Sequence, residues 1–158
     1  MKNINSEKEL DDFEDVICSD IRKIFIETQG RIDSYNKIRK PVDLYIENIV
    51  CMSQELSEVR NKLVEFLFLP LDSQILGSYC IFSDSQLRAL GVRRSGGFGN
   101  IVSRNTYFEL QKIIKSRAKE ISNELSIKFD RIYFDLLWNE RFLKKGNNLF
   151  ETSFKQDI

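Results

Sequence analysis

Apolar residues recur every three or four positions along most of this chain, a pattern typical of amphipathic helices rather than strands. The first stripe lies between Ser6 and Thr28, and Gly30 follows it as a helix stop. Its members are Phe13, Val16, Ile17, Ile21, Ile24 and Phe25. We therefore expect an N-terminal helix that buries this stripe.

A second, longer stripe steps by alternating four and three residues. It follows Pro41, a residue that the first turn of a helix tolerates, and consists of Tyr45, Ile49, Met52, Leu56, Val59, Leu63 and Phe66. The pattern predicts one continuous helix from Val42 to Phe68. Because the spacing averages about 3.5 residues, this 45–66 seam could pack within the domain, against a protein partner or in a homodimer.

Shorter elements occupy the middle of the chain. Pro70 disfavours helix in the residue before it, and Asp72 or Ser73 can cap a new helix. Another capped start lies at 83–86, with Gly91 as its stop. The stretches 66–71 and 77–82 could be short extended pieces. The glycine cluster at 93–100 predicts a loop.

Two further helices are expected in the last third. The first runs from Asn105 to Leu125, with Tyr107, Leu110, Ile113, Ile114, Ile121 and Leu125 facing inward. The second runs from Asp130 to Lys144 and is apolar nearly all round at its start, which predicts a central buried helix. Its apolar residues are Ile132, Tyr133, Phe134, Leu136, Leu137 and Trp138. The fold class is therefore mainly α: a single-domain helical bundle over 1–146, followed by a polar tail at 147–158.

Composition narrows the chemistry. The chain has 158 residues, enough for one domain, and no histidine, which excludes Ser-His-Asp and Cys-His sites. Its three cysteines lack the spacing of a disulfide framework or a zinc site, and we find no sequence motif that predicts a metal or cofactor. With no apolar run of membrane-spanning length and no signal peptide, we expect a cytoplasmic protein without membrane contact.

Charge is unevenly distributed along a chain whose formal net charge is zero. Residues 85–119 hold eight bases and one acid, Glu109, whereas residues 6–20 hold seven acids and one base, Lys8. The bases suggest a nucleic-acid partner, although solubility alone could explain them. Loop 93–100 adds backbone N–H groups and an aromatic side chain, which suit phosphate binding and base stacking, or else form a plain surface turn. The candidate nucleic-acid-binding residues are Arg88, Arg93, Arg94, Gly96, Gly97, Phe98, Arg104, Tyr107, Lys112 and Lys115.

Asp72 is the candidate catalytic residue. It follows an apolar run and stands at a predicted helix start, where a carboxylate is either an N-cap or a partly buried base. Both interpretations remain open from the local sequence.

The stretch from Asp72 to Gly146 resembles the C-terminal part of helix-hairpin-helix DNA glycosylases that excise 8-oxoguanine. Three phrases carry the resemblance: Leu71-Asp72-Ser73-Gln74-Ile75-Leu76, Ser103-Arg104-Asn105-Thr106-Tyr107-Phe108-Glu109-Leu110-Gln111 and Phe134-Asp135-Leu136-Leu137-Trp138. The family's hairpin, which holds the lysine nucleophile of its bifunctional members, is not visible here, and Lys62 lies too near Asp72 to take that role.

The resemblance implies a DNA-binding protein of DNA repair, with Asp72 stabilising a cationic sugar or activating a nucleophile. Phe98 and Tyr107 would stack on a flipped base, and Arg93 and Arg94 would hold phosphates. The fold could also bind nucleic acid without excising a base.

Two other functions stay open. The 45–66 seam and the acidic N-terminus suit a helical interaction or regulatory subunit of a bacterial or phage-defence, toxin-antitoxin or inhibitor system. The phrase from Arg60 to Glu65 resembles the Arg-Asn-x-x-x-His motif of HEPN ribonucleases, with glutamate in the histidine position, which implies an inactive relative.

Overall fold

The computed structural model describes residues 1–29 and 32–136, and within them every regular element is helical. The helices are α1 (Glu7–Gln29), α2 (Asn36–Met52), α3 (Arg60–Phe66), α4 (Ser73–Gly77), α5 (Asp84–Ala89) and α6 (Arg104–Leu125). Short 3₁₀ turns lie at Gln54–Leu56, Phe98–Asn100 and Arg131–Asp135. The mainly α prediction is confirmed, and the possible extended pieces near 66–82 form no strand in this part of the chain. No helix of these ranges has the length and apolar character to cross a membrane.

Helix α1 spans nearly the predicted residues but buries a different face. Leu10, Asp11, Glu14 and Cys18 are buried, at helical spacing, and two of them are acids. The predicted stripe is largely exposed, with at least a third of the surface accessible at Phe13, Val16, Ile21, Ile24 and Phe25. The prediction was wrong because α1 turns its carboxylates toward a buried guanidinium, that of Arg39.

The predicted continuous helix from Val42 to Phe68 is also wrong. Helix α2 starts earlier, at Asn36, contains Pro41 and ends at Met52, and the next residue, Ser53, is extended with a ψ of 127°. The guanidinium of Arg60 holds the break by donating to the carbonyl oxygens of Val50 (2.9 Å) and Ser53 (2.7 Å).

The 45–66 seam therefore does not form one continuous surface. Leu56 and Leu63 are buried in the core, whereas Tyr45 and Met52 are 61% and 76% exposed. A protein partner for the exposed part stays a prediction.

The caps predicted at Asp72 and in the 83–86 segment are confirmed, and a further cap, at Ser103, was not predicted. Asp72 caps α4, and Ser83 caps α5 in a capping box with Gln86. Gly91 ends that region with a φ of +66°, a backbone conformation that glycine adopts without strain. Ser103 caps α6 by accepting a hydrogen bond from the Thr106 N–H.

Segment 67–72 crosses the core without helix or strand, so its buried peptide groups need partners elsewhere. The Gln111 side chain donates to the Leu69 carbonyl oxygen (2.7 Å) and accepts from the Leu69 N–H (3.2 Å). Arg131 donates to the Leu67 carbonyl oxygen (2.6 Å). These bonds fix the approach of the chain to Asp72.

The end of the described chain differs from the predicted helix at 130–144. Its described part is the 3₁₀ turn, which buries Ile132 and Phe134 and leaves Tyr133 and Leu136 about half exposed. Leu137, Trp138 and the predicted tail at 147–158 lie outside the described residues, as does Gly30. In α6, Leu125 is 51% exposed, so its predicted inward orientation is wrong.

Candidate functional site

Asp72 is a buried N-cap with one oxygen left for another partner. Its Oδ1 accepts the backbone N–H groups of Gln74 (2.8 Å) and Ile75 (3.0 Å). Its Oδ2 lies 3.5 Å from the Lys40 Nζ. The two interpretations of Asp72 are thus compatible, because capping occupies one oxygen and the other contacts a cation.

Lys40 comes from α2 and places its amine between Asp72 and loop 93–100. Its side chain is 20% exposed, and its Nζ lies 5.5 Å from the centre of the Phe98 ring, within cation–π range. Phe98 itself is 43% exposed. A carboxylate, an amine and an accessible aromatic ring therefore meet at one place, which we call the Lys40 site.

Asn36 fixes the loop beside Asp72. Its buried amide Nδ2 donates to the carbonyl oxygens of Leu71 (2.9 Å) and Phe98 (3.1 Å). Its backbone N–H donates to the Ile101 carbonyl oxygen (3.2 Å), which fastens the end of the loop to the start of α2. The helix start, the loop and the segment before α4 are thus joined through one side chain.

The glycines of the loop differ in what they require. A Cβ at Gly96 would lie 2.0 Å from the Asn100 Nδ2 and 2.9 Å from the Arg93 carbonyl oxygen, so a side chain there forces the loop to move. A Cβ at Gly97 would meet no atom within 4 Å. Of these two positions, only Gly96 has too little space for a side chain.

The two loop arginines have different surroundings. Arg94 is bound to Asp84 (2.7 Å) and to the Phe82 carbonyl oxygen (2.7 Å), with its guanidinium 3.7 Å from the Tyr79 ring centre. Its donors are occupied by the fold, so the predicted phosphate-binding role does not fit it. Arg93 is exposed and available at the loop surface.

Most of the predicted basic surface is neutralised by carboxylates. Arg104 binds Asp11 (2.5 Å) and Asp15 (2.9 Å). Lys112 binds Glu109 (2.6 Å), and Lys115 binds Glu7 (2.5 Å). Among the described residues, the bases of 85–119 without a carboxylate within 4 Å are Arg88, Arg93 and Lys119. Within 85–119, the basic surface without carboxylate partners is therefore narrower than the sequence suggests and consists of Arg88, Arg93 and Lys119.

Tyr107 cannot stack on a base in this structure. Its ring is wholly buried, and its hydroxyl donates to the Asp43 Oδ2 (2.7 Å). The same Asp43 accepts from the Arg39 Nε (2.8 Å), and Arg39 also donates to Asp11 (2.9 Å) and Glu14. Tyr107 thus belongs to a buried ionic network below the site.

Two more carboxyl groups, Asp135 and Glu47, have pKa values that burial raises. Burial raises the pKa of Asp135, the negative charge of Asp72 raises it further, and Lys40 lowers it. Burial raises the pKa of Glu47 to about 7, with added repulsion from Asp135 and Asp43. Asp135 is therefore within electrostatic range of Asp72, Lys40 and Glu47.

Sequence reasoning missed Asn36, Lys40 and Glu47. Their spacing of four and seven residues puts them on one face of α2, a signal that was present in the sequence. This signal was missed because the helix was predicted to start after Pro41, which placed Asn36 and Lys40 in a connector. The contacts themselves join residues 32 to 62 positions apart and have no local signal.

Two residues of the HEPN-like phrase, Arg60 and Glu65, make structural contacts with other parts of the fold. Both Arg60 contacts go to backbone carbonyl groups at the end of α2, and Glu65 contacts Lys128 at the surface.

No family model matches this chain, and comparisons with curated proteins and with solved structures also give no match.

Proposed function

We propose that this protein binds damaged DNA at the Lys40 site and excises a base there, with Lys40 as nucleophile and Asp72 as the stabilising carboxylate. The observation that carries the proposal is the contact between the Lys40 Nζ and the Asp72 Oδ2, at 3.5 Å, beside the exposed ring of Phe98. These three groups match the three tasks of base excision: attack, charge stabilisation and stacking.

The chemistry follows from the groups present. The neutral amine of Lys40 attacks C1′ of the nucleotide, a C1′–Nζ bond forms, and the glycosidic bond breaks with its electron pair leaving on the base. Asp72 stabilises the positive charge that develops on the sugar, and its position is fixed because its other oxygen caps α4. In the covalent adduct the C1′–O4′ bond then breaks, O4′ takes its electron pair and the proton released by the Lys40 nitrogen, and an imine between C1′ and Nζ remains, as lysine amines form with carbonyl carbons.

DNA would be held by the loop and the bases near it. Phe98 offers a face on which an extruded base can stack, and Arg93 and Arg88 offer cations to phosphates. A pocket of about 390 Å³ between α5 and the loop is lined by both arginines, which supports a phosphate position there.

The resemblance to helix-hairpin-helix glycosylases supports the role of Asp72 but does not identify a lysine nucleophile in this chain. In that family the lysine belongs to a hairpin, whereas here the amine beside Asp72 comes from α2. Lys62, the lysine nearer in sequence, instead contacts Asn5. Lys40 is thus the amine that the proposal requires.

Borohydride trapping tests the proposal directly. Incubating the protein with a duplex that contains 8-oxoguanine, in the presence of sodium borohydride, should reduce the imine and give a stable protein–DNA adduct. Lys40→Gln should give no adduct, and Asp72→Asn should lose at least about 100-fold in rate while keeping its cap, because asparagine caps helices as well as aspartate.

Lys62→Gln is the matched control, since it removes a lysine from the neighbouring helix and should trap like the unmodified protein. An adduct formed by Lys40→Gln would contradict the assignment of the nucleophile. Absence of both adduct and free base with a panel of duplexes carrying oxidised, alkylated and deaminated bases would contradict the function itself.

A further inference from the structure

Lys37 lies about one turn before Lys40 on α2 and extends over the loop that carries Phe98. A Cβ built at Gly99 would lie 3.4 Å from the Lys37 Cε, so the stem of the lysine packs on the loop backbone at this residue. Gly99 follows Phe98 directly in the sequence. The amine of Lys37 therefore belongs to the surface around the Phe98 ring.

Hydrogen bonds between the start of α2 and the end of the loop hold this side chain in place. The Tyr35 N–H donates to the Val102 carbonyl oxygen (2.9 Å). The Ile101 carbonyl oxygen accepts from the Asn36 N–H (3.2 Å) and from the Ser34 hydroxyl (2.8 Å). Three consecutive residues around the helix start thus fix the loop against the first turn of α2.

Two lysines of α2 therefore flank the exposed ring of Phe98. The Lys40 Nζ lies 5.5 Å from the ring centre, and Lys37 covers the next residue, Gly99. The sequence of loop 93–100 contributes two arginines and no acid to this surface. A nucleotide whose base stacks on the ring carries a phosphate on each side of its sugar, so the cations beside the ring meet negative charge.

The carboxylate of Asp33 pairs with Lys37 in a contact that a phosphate can replace. The two side chains are four positions apart, with their Nζ and Oδ1 at 2.6 Å, and they are 45% and 67% exposed. Exposed ion pairs of this kind are weak because water screens them and both side chains lose freedom. A DNA phosphate, whose binding also releases counterions, can therefore compete with Asp33 for the ammonium group.

We propose that Lys37 binds a backbone phosphate of the nucleotide whose base stacks on Phe98, and that Asp33 holds the ammonium group until DNA displaces it. The inference rests on the proposed function and adds a DNA contact on the α2 side of the ring. Lys37 positions the strand, whereas Lys40 remains the nucleophile. Asp33 lowers the affinity for DNA because it competes with the phosphate.

The salt dependence of DNA binding tests the phosphate contact. Fluorescence anisotropy between about 50 and 200 mM salt, with a duplex that contains 8-oxoguanine, gives a slope of log K against log [salt] that counts phosphate contacts. Lys37→Gln should weaken binding and reduce the magnitude of this slope by about 1. Lys37→Arg keeps the charge and should keep the slope. A slope that Lys37→Gln leaves unchanged would overturn the inference.

Asp33→Asn separates a phosphate contact from a purely structural role of the pair. Removing the competing carboxylate should tighten DNA binding about two- to fivefold, which is the fold-change expected from an exposed ion pair. A structural role predicts the opposite, because breaking the pair would disturb the helix start and the loop on it. Unchanged or weaker binding by Asp33→Asn would therefore contradict the competition.

The pair Lys8–Asp12 on α1 provides the matched control. Its side chains are also four positions apart, with their Nζ and Oδ2 at 2.6 Å, and they are 80% and 59% exposed. Lys8→Gln and Asp12→Asn should leave both the affinity and the salt slope unchanged. Changes equal to those at Lys37 and Asp33 would mean that the total charge of the protein is responsible, which would refute a specific contact.

Borohydride trapping at saturating DNA separates this inference from the proposed function. Lys37→Gln should give the adduct yield of the unmodified protein, because Lys40 and Asp72 are intact. Loss of the adduct at saturation would place Lys37 in the reaction and overturn its role as a phosphate ligand. If Lys37→Gln lowers the slope but the unmodified protein never forms an adduct, the excision is wrong and the phosphate contact stands. If the unmodified protein binds no DNA, both fail.

Discussion

At the scale of single residues, Arg39 is the largest fully buried side chain among those the structure describes. Its guanidinium lies 4.7 Å from the Phe68 ring centre and donates to carboxylates of both α1 and α2. Its charge is therefore compensated on several sides, and the acids around it depend on that charge in turn.

Replacing Arg39 by methionine should destabilise the protein by about 3–5 kcal/mol, because the change removes the hydrogen-bond donors and the positive charge that the buried acids Asp11, Glu14 and Asp43 contact. Urea unfolding followed by circular dichroism measures the loss. Lys23→Met is the control: it breaks an exposed pair with Asp20 and should cost less than about 1 kcal/mol. A loss of similar size in both variants would contradict the view that Arg39 organises the core.

Residue chemistry was only partly predictable from the sequence. The capping role of Asp72 follows from its neighbours, since Pro70 ends one conformation and the next residues begin a helix. The contact with Lys40 does not, because it depends on how α2 packs against a segment 32 positions away. The sequence neighbours of Asp72 are enough to predict its cap, whereas its contact with Lys40 forms only when the chain folds.

At the scale of elements, helix ends were easier to predict than helix continuity. The caps at Asp72 and Ser83 use side chains within three residues of the groups they bind. The break at Ser53 was missed because the apolar spacing continues through it, with Leu56 and Leu63 both buried beyond the break. A guanidinium from the next helix, Arg60, provides the missing bonds.

Loop 93–100 gives an element-scale prediction. Gly96→Ala should displace the loop, because its new methyl group would lie 2.9 Å from the Arg93 carbonyl oxygen. We expect faster amide hydrogen exchange across 93–100 and at least about tenfold weaker binding of DNA. Gly97→Ala is the matched control, since it meets open space at a backbone conformation with φ of −73°. Equal exchange rates in the two variants would show that the loop shape does not depend on Gly96.

At the scale of the whole molecule, many of the acids and bases that cluster in separate parts of the sequence pair with each other in the fold. The acids of α1 lie against bases of α6, as in the pairs Asp11–Arg104 and Glu7–Lys115. Residues 93 and 108 positions apart thus cancel each other. A one-dimensional count of charges could not show this, and it overestimated the basic surface that lacks carboxylate partners.

The same arrangement makes stability depend on pH. Burial raises the pKa of Glu14 to about 8, although Arg39 opposes the shift, and burial raises that of Glu47 to about 7. In the unfolded chain both groups titrate near about 4.3. Between these values the folded protein binds more protons than the unfolded chain, so the free energy of unfolding must fall as pH rises.

We therefore expect the protein to be at least about 1 kcal/mol less stable at pH 8.5 than at pH 5.5, measured by urea unfolding at constant ionic strength. Glu14→Gln should reduce this difference by about half, because the amide keeps an acceptor for Arg39 and cannot ionise. Glu120→Gln, at an exposed pair with Arg117, should leave the difference unchanged. Stability that rises between pH 5.5 and 8.5 would mean that Glu14 is ionised in the folded protein, with Arg39 outweighing the cost of its burial.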